Sequence, residues 1–143
     1  MHVRSLERFD FDSVLFPWNH ALAAVDEYRR DAEELIAVCQ TAGVAMQTIK
    51  SVAKRRWENP TARHFSWYEP LDEGGALGRA VRFVMSTPDV FLNTSSDARL
   101  LRAIVAAATG PNANTRPSAD ELATDVATHH ISPLFDGRNL ERI

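Results

Sequence analysis

Two short runs carry residue types suited to holding an anion. Ser95-Ser96-Asp97-Ala98-Arg99 sets two hydroxyls and a guanidinium around what reads as a helix start. Backbone N–H groups at such a start favour phosphate, and a guanidinium adds a planar fork that meets two phosphate oxygens at once. Asp97 works against this, because it puts a negative charge in the same turn. Lys50-Ser51 offers a cation and a hydroxyl at the end of an apolar run, which suits a pyrophosphate. A solvated strand end is the alternative there. Asn19 stands at another such end, where it either borders a ligand or caps a turn.

Other chemistry is excluded or demoted. Lys54, Arg55, Arg56 and Arg63 interleave with Trp57, Trp67 and Tyr68, a pattern found in nucleic-acid binders. Sixteen basic against nineteen acidic residues give a net charge of −3, and no nucleic-acid motif is present, so a solvated loop or a lid over a cofactor is expected instead. His129 and His130 are neighbours, so on a helix they diverge by about 100° and cannot share a metal. Cys39 is the single cysteine, which excludes an internal disulfide and any multi-cysteine metal site. No run nears the roughly eighteen apolar residues of a membrane span, and the first residues lack the apolar stretch of a signal peptide. A cytoplasmic chain without membrane contact is expected. Asn93-Thr94-Ser95 matches a glycosylation sequon that has no secretory context to act in.

The elements that must position these residues alternate along the chain. One domain over residues 1–143 is expected. Ser13 to Phe16 is a short apolar run bounded by Asp12 and Pro17, hence a buried strand. Asp26 to Ala42 reads as a helix with Ala32, Leu35, Ile36 and Cys39 inward and Gly43 as its stop. This makes Cys39 a small core residue rather than a nucleophile. Val44 to Ile49 is a second strand, and Lys54 to about Pro70 a long loop. A helix follows from about Asp72 to Met85, with Leu77, Ala80, Val81 and Val84 on one face. Val90 to Leu92 is a third strand. Ser96 is expected to cap the next helix, whose inner face is Leu100, Leu101, Ile104, Val105 and Ala108. Ser118-Ala119-Asp120-Glu121 is a capping box opening a last helix to about Thr128, and Ile131, Leu134 and Phe135 are available for docking.

The predicted order is therefore β-α-β-α-β-α plus a terminal helix, which implies parallel strands covered by helices. Three strands do not close a barrel, which takes eight and about 250 residues. A small doubly wound domain and part of a larger barrel both remain open.

Three phrases and a tail resemble the aldo/keto reductase family. Phe11-Asp12-Ser13-Val14-Leu15-Phe16-Pro17-Trp18-Asn19 is similar to that family's sixth strand, and Gly43-Val44-Ala45-Met46-Gln47-Thr48-Ile49-Lys50-Ser51 to its seventh. Val90-Phe91-Leu92-Asn93-Thr94-Ser95-Ser96-Asp97-Ala98-Arg99-Leu100 is similar to the eighth strand and the turn into the last barrel helix. Pro117 to Leu122, with Ser132-Pro133-Leu134-Phe135, is in keeping with a bacterial branch.

The resemblance implies an α/β fold that is part of a (β/α)8 TIM barrel: about three parallel strands, their covering helices and a C-terminal helix. It implies NADP-dependent reduction of a small carbonyl substrate. The family's Asp, Tyr, Lys and His tetrad comes from the first half of the barrel, so no catalytic residue carries over; Lys50 and Tyr68 lie on the wrong strand and in the wrong loop. The cofactor-side positions carried over are Asn19, Lys50, Ser51, Ser95, Ser96 and Arg99, with Asn19 bordering the nicotinamide and Arg99 at the adenosine end, near the 2′-phosphate. Ile49 stands about where the family often has an aromatic residue, and Asn93-Thr94 where a Lys-Ser pair often precedes the turn. A truncated or split reductase follows as an expectation, its partner the other half of the barrel or a second copy. The rival expectation is a non-catalytic three-stranded module that binds a nucleotide or a protein across its open edge.

Overall fold

Strict alternation in the first strand decides which way its side chains face. In a computed structural model that describes residues 2–72 and 74–135, α1 (His2–Leu6) leads to β1 (Ser13–Pro17), with Val14 and Phe16 buried and Ser13 and Leu15 exposed. A short α2 (His20–Ala23) and the long α3 (Asp26–Ala42) follow. On α3, Ala32, Leu35 and Cys39 recur at helical spacing and are buried, and Asp26 and Glu27 sit in the first turn, where the helix dipole favours anions. Gly43 ends the helix at φ 69°, left-handed backbone that a residue with a Cβ enters only at a cost.

β2 (Ala45–Ile49) pairs in parallel with β1, from Ser13 opposite Ala45 to Pro17 opposite Ile49. Beyond it, β3 (Ala53–Arg55) and β4 (Glu69–Pro70) form a small antiparallel pair of their own. α4 (Gly75–Met85) crosses to β5 (Val90–Leu92), which pairs in parallel with β2 through Met46 opposite Val90 and Thr48 opposite Leu92. A 3-10 turn (Ala98–Leu100) runs into α5 (Leu101–Thr109), and α6 (Ala119–His129) closes the described elements. The fold is mixed α/β around a three-stranded parallel sheet of order β1-β2-β5.

Helix cover lies on one face of that sheet. Val14, Phe16 and Met46 pack with Ala32, Leu35 and Cys39 of α3 and with Phe83 and Val84 of α4. The reverse side of α4 carries a second core, in which Ala76, Leu77, Ala80 and Val81 meet Leu100, Ile104 and Ile131. α6 is moored to α4 by a bidentate pair, with Arg79 Nε and Nη2 each 2.6 Å from a carboxylate oxygen of the buried Asp125. The expected capping box is present: Ser118 Oγ accepts from the Glu121 N–H, and the Glu121 carboxylate accepts from the Ser118 N–H.

Three expectations need correction. Leu101 and Val105 are exposed, and the inner face of α5 is Leu100 and Ile104 with the half-buried Ala103, Ala107 and Ala108. Ala103, Ala107 and Ala108 lie on the side of α5 that packs against the α4 core, so the side that carries Leu101 and Val105 faces outward. The helix-start cap is Asp97, not Ser96: the Asp97 carboxylate accepts from the Arg99 N–H at 3.1 Å. Pairing through β3 and β4 also reaches into the segment expected as plain loop. Among the described residues no helix is long and apolar enough to cross a membrane, and no three His, Cys, Asp or Glu groups gather as a metal site.

Candidate functional site

The C-terminal ends of the three parallel strands form one rim, where ligands of open α/β sheets and of barrels bind. Five of the six expected positions follow a strand end within four residues, and Arg99 follows in the next turn. Asn19 is buried and its amide is engaged at both ends: Oδ1 accepts from the Leu22 N–H and Nδ2 donates to the Lys50 carbonyl, both at 2.9 Å. It caps α2 and ties the end of β1 to the end of β2. Lys50 stands at φ 65°, uncommon for a side-chain-bearing residue, and its carbonyl is held a second time by the Ala53 N–H at 3.0 Å. The Lys50 ammonium lies 4.7 Å from the centre of the Trp67 ring and 5.6 Å from that of Tyr68. Burial holds its pKa below the ordinary value. Ser51 is buried, its hydroxyl 3.5 Å from the Asn93 carbonyl.

At the end of β5, the turn is already supplied with an anion of its own. Arg99 grips Asp97 through Nε at 2.8 Å and Nη2 at 2.6 Å, and the hydrogen bonds from Arg99 hold the Asp97 carboxyl below its usual range. The Asp97 N–H donates to Ser95 Oγ at 3.2 Å, and the Leu100 N–H to the Asp97 carbonyl at 3.1 Å. Most N–H groups of this helix start are therefore spent internally. Two groups still face outward. Ser96 is exposed, and the Arg99 side chain is 66% exposed against 3% for Asp97. The guanidinium also stacks on Phe65, 4.0 Å from the ring centre.

The segment between β3 and β4 walls this side. Trp57 and His64 stack at 3.7 Å with planes 7° apart, and Trp57 Nε1 donates to the Ser66 carbonyl at 2.8 Å. Trp57, His64, Phe65, Trp67 and Ser96 line an open hollow of about 400 Å³. Buried Tyr68 reaches Ser95 Oγ at 3.5 Å, linking the segment to the β5 turn. Basic residues here hold the chain together: Lys54 and Arg55 pair with Glu69 at 2.6 and 2.7 Å, and Arg56 donates to the Leu134 carbonyl at 2.8 Å.

One residue near the rim was not marked by any pattern. His20, directly after Asn19, is 6% exposed, and neither ring nitrogen has a hydrogen-bond partner among the described residues. Its ring stands edge-on to Phe83 at 6.1 Å. Burial lowers its pKa, and the charge of Asp125 offsets part of that. A lone histidine after a strand carries no periodic signal that would have marked it. Compared with family models, with curated proteins and with solved structures, the chain has no match, so its reading rests on its own residues and geometry.

Proposed function

We propose that this chain is the cofactor side of an aldo/keto reductase-type (β/α)8 barrel, binding NADP for the reduction of a small carbonyl compound. The observation that carries the reading is the sheet itself. Three parallel strands lie in sequence order with helices, among the described residues, on one face, an arrangement that an arc of a barrel shares with one half of a doubly wound sheet.

The aromatic-walled hollow and the outward guanidinium fit the adenosine end of such a cofactor. A cavity of this size takes a nucleoside, Phe65 and Trp67 offer stacking faces, and Arg99 with Ser96 would meet a 2′-phosphate, Ser95 supporting the turn from behind. Lys50 and Ser51 would flank the pyrophosphate. Asn19, its amide committed, shapes the rim beside the nicotinamide rather than bonding to it. NADPH supplies the hydride when bound. The proposal assigns no catalytic residue to this chain, so the chain by itself is expected not to reduce carbonyls.

Titration of NADP and NAD against tryptophan fluorescence tests the reading. Arg99→Ala should weaken NADP by about ten- to a hundredfold, the worth of one charge-assisted contact, and NAD much less. Arg99→Lys, which keeps a charge beside Asp97, should recover part of the loss. Equal losses for both cofactors, or none, would overturn it. The rival reading, a module that binds a protein, draws on the exposed Leu15 and Phe91 of the open sheet face.

A further inference from the structure

Asp97 and Arg99 are bonded to each other yet differ in exposure: the carboxylate is buried and the guanidinium stands mostly in solvent. Among the described residues, every hydrogen bond that the Asp97 carboxylate accepts comes from Arg99, from its backbone N–H at 3.1 Å, Nε at 2.8 Å and Nη2 at 2.6 Å. The Asp97 backbone is pinned as well, its N–H to Ser95 Oγ at 3.2 Å and its carbonyl by the Leu100 N–H at 3.1 Å. Phe65, a wall of the hollow, lies against the face of the guanidinium, which is 4.0 Å from the ring centre. We propose that Asp97 is a positioning residue, which fixes Arg99 beside the hollow so that the free edge of the guanidinium selects NADP over NAD. This rests on the nucleotide reading given above.

The donors of the guanidinium show what is left for a ligand. The group carries five N–H bonds, one on Nε and two on each Nη. Asp97 engages Nε and Nη2, so one N–H of Nη2 and both of Nη1 stay clear of it. One N–H from each Nη makes a second fork, on the edge next to the one Asp97 holds, and such a fork matches two phosphate oxygens. The carboxylate stops the guanidinium turning within its plane, and the Phe65 ring stops the plane tilting. An arginine on a bare surface loses rotamer freedom when it grips an anion, and that loss weakens binding. Here folding has already removed the freedom, so the grip keeps more of its strength. Charge alone sets Asp97 against an anion. Geometry reverses its part, because the phosphate would touch the guanidinium directly while the buried carboxylate stays one edge removed.

Asp97→Asn tests this in the full chain, with NADP and NAD each titrated against tryptophan fluorescence and a thermal melt to confirm folding. Asparagine keeps an oxygen for the Arg99 N–H but loses the charge and the second oxygen that hold the guanidinium. NADP should weaken about three- to tenfold, the worth of one long side chain ordered in advance, and NAD should be nearly unchanged. If Asp97 only repels phosphate, the variant binds NADP more tightly; if it only caps the turn, both nucleotides weaken alike. Either result overturns the proposal, as does an unchanged NADP affinity. Should the Asp97→Asn chain fail to melt cooperatively, Phe65→Leu decides, since it frees the tilt and leaves the buried acid paired. NADP should then lose more than NAD, and equal losses overturn the proposal. Arg99→Ala separates this role from the reading beneath it. If that variant binds NADP as the parent does, or the parent binds none, the nucleotide reading fails and the proposal with it. If Arg99→Ala weakens NADP and Asp97→Asn does not, the positioning role alone fails.

Discussion

The two faces of the parallel sheet are built from alternate residues of the same strands, yet they have opposite fates. On the covered face, Val14, Phe16, Met46 and Thr48 are buried, and the one polar group among them, Thr48 Oγ1, donates to the Phe91 carbonyl at 3.2 Å. On the open face, Leu15 and Phe91 are 49% and 64% exposed, on either side of Gln47 in the same register row. Gln47 spans that face, its Nε2 3.4 Å from Ser13 Oγ and its Oε1 3.3 Å from Asn93 Nδ2. One face therefore holds the molecule together, while the other keeps its strands in line and stays available. Water meets apolar side chains there that a covered sheet would enclose.

Truncation should separate the faces most sharply. Phe16→Ala is expected to cost about 3–5 kcal/mol, as for a large ring lost from a packed core, and Leu15→Ala less than about 1 kcal/mol, both read from urea midpoints. Comparable losses would mean that the open face is buried in solution. Next comes the mooring of α6 beyond the covered face. Arg79→Ala strands the buried Asp125 carboxylate and should cost about 3 kcal/mol, whereas Arg29→Ala, which breaks the exposed pair with Asp26, should cost under about 1 kcal/mol.

Acid gives a smaller and graded effect. Because burial lowers the His20 pKa, the folded chain resists a proton that the unfolded chain accepts near pH 6.5. Its contribution is complete above that value and is lost as pH falls toward the folded pKa, by at most about 1.4 kcal/mol per pH unit. His20→Phe should flatten this part of the profile between pH 7.5 and 5. A slope identical in the variant would show that the ring is not the group responsible. Smallest in stability is Phe91→Ser on the open face, expected within about 0.5 kcal/mol of the parent melt. Its effect should appear in light scattering instead, as weaker self-association at high concentration. An unchanged mass with an unchanged melt would sink the idea that this face attracts partners.

The parts legible from sequence are those where one period dominates. Val14 and Phe16 alternate, Ala32, Leu35 and Cys39 recur at helical spacing, and Ser118 with Glu121 is a local box, so β1, α3 and the start of α6 follow directly. What escaped depends on distant partners. Ala53 pairs with Pro70 across the Trp57–Tyr68 segment, and a two- or three-residue strand has no period to read. The α5 face was drawn too wide, because alanine gives no hint of which side approaches α4. At the candidate site the residues themselves stood out, but their commitments did not. Arg99 looks free in sequence and is held by a carboxylate two positions earlier, and Asn19 looks like a ligand and spends its amide on Leu22 and Lys50. Side-chain hydrogen bonds of this kind follow from backbone placement, which composition and spacing do not fix.

Cys39 turns the covered face into a clock. The thiol is fully buried between α3 and the sheet, and burial raises its pKa, so a thiol reagent in the medium meets no reactive group while the helix is seated. Labelling can proceed only through openings that lift α3. If reseating outpaces the reagent, the observed rate reports how often the opened form is populated; if the reagent is faster, it reports the lifting step itself. Raising the reagent concentration carries the measurement from one regime to the other. A single native atom thus reports both the frequency and the speed with which the helix layer parts from the strands, without any engineered probe.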